Sequence, residues 1–154
     1  MAGQKILVPY NFTVNDEKSI DLVIQNFGKH QDVRITLFHV YLPVPNIEID
    51  DKTVMSRISS NLSYLRQKIN DMENEIVKAR DRLISAGFAK ERVGYIFKPQ
   101  DKDTAQEIIE QAYNGDFTGI VLSRSPTSIR KFFAPSVSKR VTKALQHLDL
   151  YMVG

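Results

Sequence analysis

Five short runs of apolar residues, rich in β-branched and aromatic side chains, recur along the chain, and a segment with helical spacing separates each from the next. The runs are Lys5–Tyr10, Val33–Leu42, Arg92–Lys98, Thr118–Ser123 and Leu148–Val153. Each has the length of a strand and is too short for a helix. The first intervening helix is predicted over Glu17–Gly28, where Ile20, Val23, Ile24 and Phe27 share a face. Asn15 or Asp16 would cap it and Gly28 would stop it. A third helix is predicted over Asp103–Tyr113, with Ala105, Ile108, Ile109 and Ala112 inward, and a fourth over Ser136–His147, with Pro135 suited to its first turn. Every connection between strands thus passes through a helix. That alternation implies an α/β fold: an open, parallel five-stranded sheet with right-handed crossovers and helices on both faces, in three layers.

The second intervening segment carries the most regular pattern. After a loop enforced by Pro43 and Pro45, residues Met55, Ile58, Leu62, Leu65, Ile69, Met72, Ile76, Ala79 and Leu83 alternate spacings of three and four. They define one face of a helix from about Asp51 to Ala86, ended by Gly87. Such a helix is about 50 Å long, against about 20 Å for a typical strand. Two readings follow. The stripe covers the sheet, with part of the helix overhanging or bending, or it is a coiled-coil seam. The first is the expectation.

The chain has 154 residues, 42% hydrophobic and 25% charged, which fits one domain over residues 1–154. No apolar run approaches the roughly 20 residues of a membrane-spanning helix, so no membrane partner is expected. With no cysteine, disulfides, thiol nucleophiles and cysteine-ligated metals are excluded. The N-terminal residues lack the apolar core and cleavage site of a signal peptide, and a cytoplasmic protein is the expectation. The net charge of +3 is uneven: residues 1–117 hold 15 Lys/Arg against 17 Asp/Glu, and residues 118–154 hold six against Asp149 alone. This basic C-terminal face is either simply solvated or attracts an anion or an acidic protein.

In an open parallel sheet, ligands bind beyond the carboxyl ends of the strands, where strand order reverses. The candidate segments are Pro9–Thr13, Val40–Leu42 and Ser123–Ser136. The last is an irregular, basic stretch with hydroxyls at Ser123, Ser125, Thr127, Ser128 and Ser136, and Arg124, Arg130 and Lys131 among them. It leads into a helix N-terminus, where free N–H groups and the dipole favour an anion. Catalytic patterns are poor. His30, His39 and His147 show no metal-ligand spacing, and His39, inside an apolar strand, reads as a core histidine. There is no Walker loop, G-x-G-x-x-G fingerprint or G-x-S-x-G elbow. A phospho-acceptor receiver domain needs acidic residues after strand one and an Asp ending strand three; Asn11 and Pro99 stand there.

The blocks Lys5-Ile6-Leu7-Val8-Pro9, Leu37-Phe38-His39-Val40, Ile120-Val121-Leu122-Ser123-Arg124 and Pro135-Ser136-Val137-Ser138-Lys139-Arg140-Val141, with the long second helix, resemble the universal stress protein family over essentially the whole chain. The resemblance implies strand order 3-2-1-4-5, homodimers and, in one branch, ATP bound between the ends of strands one and four. That branch carries Gly, two residues, Gly, nine residues, then Gly-Ser or Gly-Thr. Here the three glycines fall on Leu122, Ser125 and Pro135, and only Ser136 survives. The family's acidic residue after strand one becomes Asn11. Pro9, Val40, Val121, Ser136 and Val137 fit its nucleotide pocket, and Ser123, Arg124 and Ser125 join them as candidate anion or nucleotide contacts. Leucine fills space that glycine leaves open, and proline removes an N–H that could bond a phosphate. Lost glycines therefore weaken a backbone phosphate cradle.

The leading reading is a non-catalytic, homodimeric stress-response or signalling domain with no expected cofactor and no standard ATP binding. One alternative binds ATP or AMP through an altered, Arg- and Ser-rich phosphate loop. Another is a protein-interaction module using the long second helix and the basic C-terminal face. Nucleic acid is not an expected partner, because no recognition-helix or RNA-module motif accompanies the basic residues. In strand order 3-2-1-4-5 the last strand is an edge. Its Leu148, Leu150 and Met152 on one face, and Tyr151 and Val153 on the other, are unguarded by lysine or proline, so pairing with a second copy is expected.

Overall fold

A computed structural model describes residues 3–30, 32–44, 52–123 and 134–153. Strands β1 (Lys5–Pro9), β2 (Arg34–Tyr41), β3 (Val93–Pro99), β4 (Gly119–Ser123) and β5 (Asp149–Val153) alternate with helices α1 (Val14–Phe27), α2 (Lys52–Ser85), α3 (Thr104–Asn114) and α4 (Ala134–Ala144). All four strand pairings are parallel and the order is β3-β2-β1-β4-β5. Lys5 to Pro9 align with Arg34 to Phe38, and Ile6 with Gly119, so β1 is central. Strand order reverses between β1 and β4, which places a switch point at their carboxyl ends.

Both faces of the sheet are covered, which is why its inner strands read as continuous apolar runs. On one face Ile6, Val8, Ile35, Leu37 and Val121 pack with Ile20 and Val23 of α1 and Ile76, Ala79 and Leu83 of α2. On the other, Leu7, Phe38, Val40, Ile120 and Leu122 pack with Ala105 and Ile108 of α3 and Val141 of α4. Period-two alternation sorts neighbours such as Val121 and Leu122 into opposite layers.

The predicted elements are all present, with local corrections in α1 and α4. Helix α1 begins at Val14 rather than Glu17, and its cap is Thr13 rather than Asn15 or Asp16. Thr13 and Asp16 cap each other's backbone in a capping box, which outcompetes a cap nearer the apolar stripe. Helix α4 starts at Ala134 and ends at Ala144, short of His147, because the chain turns through Leu145–Leu148 to enter β5. Gly87 ends α2 as expected, with a φ of +119° that a side chain would resist. The stripe of α2 divides. Ile76, Ala79 and Leu83 are buried in the core, whereas Ile58, Leu62, Ile69 and Met72 are half-buried and Leu65 is 38% exposed. Among the described residues no helix is long and apolar enough to cross a membrane.

Candidate functional site

The carboxyl end of β1 leads through Tyr10–Thr13 into α1, and Asp16 in the first turn of that helix organises the segment. Asp16 is 1% exposed. Its Oδ2 accepts from the Asn11 N–H (2.9 Å), the Thr13 N–H (3.0 Å) and the Thr13 hydroxyl (2.8 Å). Its Oδ1 accepts from the Ser123 hydroxyl at 3.0 Å, and so joins the end of β4 to the start of α1 across the switch point. Phe12 is held at a φ of 62°, and its ring meets Tyr10 and His39 edge-on. A positive φ at a bulky residue is costly and persists only where its surroundings hold it. Four hydrogen bonds to one carboxylate and two aromatic contacts do so here.

His39 projects from β2 into this cluster and stacks on Phe97, which in turn stacks on Tyr41. It is 8% exposed, and its Nδ1 lies 2.9 Å from the Tyr10 carbonyl oxygen, to which it donates. Burial lowers its pKa below the ordinary histidine value and outweighs the opposite pulls of the Tyr10 carbonyl and Asp16. The neutral ring fits a core position, though its Nε2 is buried without a partner. The Tyr10 hydroxyl donates to Glu17 at 2.9 Å, and burial, with this carboxylate, raises its pKa.

The candidate residues fall into separate places. Pro9 ends β1 opposite Phe38, and the exposed Asn11 spends its N–H on Asp16. Ser123 is half-buried and spends its hydroxyl on the same carboxylate. Val40 is buried in the core beneath α3 and α4, where the half-buried Val137 also packs. Val121 is fully buried in the opposite layer, against α1 and α2. Leu122, at the position of the first motif glycine, is buried in the α3–α4 layer. Ser136 stands in the first turn of α4. Arg124 and Ser125, with Thr127, Ser128, Arg130 and Lys131, lie outside the described residues. The sequence reading missed Asp16 as the organiser, although Thr13-x-x-Asp16 is a capping-box pattern.

Among the described residues no group of three or more His, Asp or Glu side chains could hold a metal ion. A cleft of about 400 Å³, lined by Lys5, Arg34, Arg92, Asp32 and Asp116, lies at the opposite, amino edge of the sheet. Of the residues expected at the edge β5, Leu148 is buried and Leu150 half-buried in the α3–α4 layer, whereas Tyr151 and Val153 pack toward α1, with Tyr151 edge-on to Phe27. Met152 is 36% exposed. Among the described residues the strand pairs with β4 on one side only.

No family model matches the chain, and no curated protein matches it. Solved structures do. The hypothetical protein MJ0577 is 18% identical, with a TM-score of 0.72 over 99% of this chain and 96% of that one. A universal stress protein from Archaeoglobus fulgidus, solved with dAMP, is 15% identical, with a TM-score of 0.65 over the whole of both chains. A universal stress protein family member from Arabidopsis thaliana, with AMP bound, is 12% identical, with a TM-score of 0.56 over 97% of this chain and 90% of that one. The fold is therefore the one that universal stress proteins adopt, with the strand order that the sequence resemblance implies.

Proposed function

We propose that this chain is a non-catalytic, homodimeric stress-response or signalling domain of the universal stress protein type, acting in the cytoplasm, whose β1–β4 edge does not hold ATP in the family's standard way. The carrying observation is the Asp16 carboxylate. It takes up the Asn11 and Thr13 N–H groups and the Ser123 hydroxyl, which are the donors at the ends of β1 and β4. A triphosphate arriving there meets a buried acidic group and donors already engaged, and breaking charge-assisted bonds to gain others yields little. Leu122 and Pro135 replace two of the glycines that would let a backbone approach the nucleotide.

A second reading is favoured by the dAMP and AMP held by two proteins of this fold. In it an adenine nucleotide binds through side chains of the Arg124–Lys131 stretch. Mass spectrometry of the denatured, purified protein separates the two. The first reading expects no adenine nucleotide above trace, and a stoichiometric one establishes the second. For assembly, the unguarded edge of β5 supports pairing with β5 of a second copy about a two-fold axis. Light scattering at tens of micromolar should give a dimer, and Met152→Pro should abolish it by removing an N–H and obstructing the partner strand. A monomeric wild type at that concentration contradicts the assembly.

A further inference from the structure

We propose that the overhanging half of α2 pairs antiparallel with the same segment of a second copy of this chain, as a short two-stranded coiled coil. This contact is separate from β5 and goes beyond the function proposed above.

The two halves of α2 are patterned differently. Over Ile76–Ile84 the apolar face is wide, because Val77 and Ile84 flank the stripe of Ile76, Ala79 and Leu83, and this half covers the sheet. Over Ile58–Met72 it narrows to Ile58, Leu62, Leu65, Ile69 and Met72 alone, with Ser, Asn, Arg, Gln, Lys, Asp and one Tyr around it. A wide face suits packing on a sheet, and a seam of strict three–four spacing suits a second helix of the same spacing. Length separates the halves at the same place. The seven residues of β3 span about 23 Å. They match about 15 residues of helix, so roughly the first 20 of the 34 residues of α2 extend past the sheet. The main elements that α2 packs on are β3, β2 and α1, and its buried residues among those described are Ile76, Ala79 and Leu83.

Sterics and charge then choose the register. A parallel pair would drive each sheet into the other, because each body occupies the side on which the partner helix would continue. An antiparallel pair centred between Leu62 and Leu65 avoids this. It stacks Ile58 on Ile69 of the second copy and Leu62 on its Leu65, and the partner helix ends where this chain's own sheet begins. Sliding one heptad toward the body sets Arg66 against Arg66 and Lys68 against Lys68, one pair on each flank. Sliding two heptads calls on Ile76, which the sheet already buries. In the chosen register Lys68 faces Asn61 of the second copy, with no like-charge pair. A seam this short is marginal alone, so it joins copies at concentrations above those that pair β5.

The chain contains no cysteine, so Asn61→Cys and Lys68→Cys each carry a single thiol, at exposed positions outside the core. Each variant, and their equal mixture, is oxidised with copper phenanthroline at hundreds of micromolar in a Met152→Pro background, which removes the β5 contact. The mixture should give several-fold more disulfide dimer than either variant alone. Adding Leu65→Glu, at the exposed position of the seam, should abolish it without moving the thermal midpoint. Equal yields in the single variants and the mixture, or no covalent dimer anywhere, overturn the proposal. The dimer measurement on β5 stands or falls separately.

Discussion

Two turns at the carboxyl edge of the sheet are closed by the same device. After β1, Asp16 reaches back from α1 to the Asn11 and Thr13 N–H groups; after β3, Glu107 reaches back from α3 to the Asp101 N–H at 2.8 Å and the Lys102 N–H at 3.4 Å. Both carboxylates are buried, at 1% and 6% exposure. They differ in reach. Glu107 serves its own loop and meets Lys98 at 3.8 Å, whereas Asp16 also takes the Ser123 hydroxyl from a strand 107 residues away in sequence. One carboxylate shapes a turn, and the other locks two strands at the switch point. These two carboxylates thus sit in helices and point back at the backbone, whereas a phospho-acceptor would carry its acidic groups at the strand ends.

The largest consequence falls on Asp16. Asp16→Ala removes the acceptor for four donors in a buried setting and should cost roughly 3–4 kcal/mol, read as a fall in the urea midpoint at constant slope. Ser123→Ala should cost about 1 kcal/mol. A double-mutant cycle should show the two coupled, because they share one bond. Full additivity would mean that the cross-strand lock contributes nothing. Glu107→Ala should cost less than Asp16→Ala, about 1–2 kcal/mol, since it frees fewer donors beside a more exposed loop. A reversed order would break the distinction between a turn and a lock.

A smaller, pH-linked effect comes from His39, which packs against the Phe12 turn. Its folded pKa lies below the unfolded value of about 6.5, so on acidification the unfolded chain takes up the proton first. Stability should therefore fall as pH drops through about 6.5 and level off below the folded pKa, with a slope of at most about 1.4 kcal/mol per pH unit. Urea midpoints between pH 7.5 and 5.5 read this directly. His39→Gln should flatten the curve, and an unchanged slope would assign the effect elsewhere.

The alternation of strands and helices was legible because each segment is long enough to show its period, and α2 most of all. Family resemblance in the Lys5–Pro9 and Ile120–Arg124 blocks added the strand order, which periodicity cannot supply. The site was less legible. Thr13-x-x-Asp16 could be read as a cap, yet its apolar stripe starts only at Ile20 and drew the expected helix start downstream. Nothing local announces that Ser123 meets Asp16, or that Phe12 adopts a positive φ. Helix α4 ran too far in the sequence reading because no glycine or proline marks its exit at Leu145.

The central claim concerns the switch point itself. Titration calorimetry of the wild-type protein with ATP, with and without magnesium, tests it most directly. Engaged donors and a buried carboxylate predict no dissociation constant tighter than about millimolar, or about −4 kcal/mol. A micromolar constant would contradict the account and favour the nucleotide-binding reading.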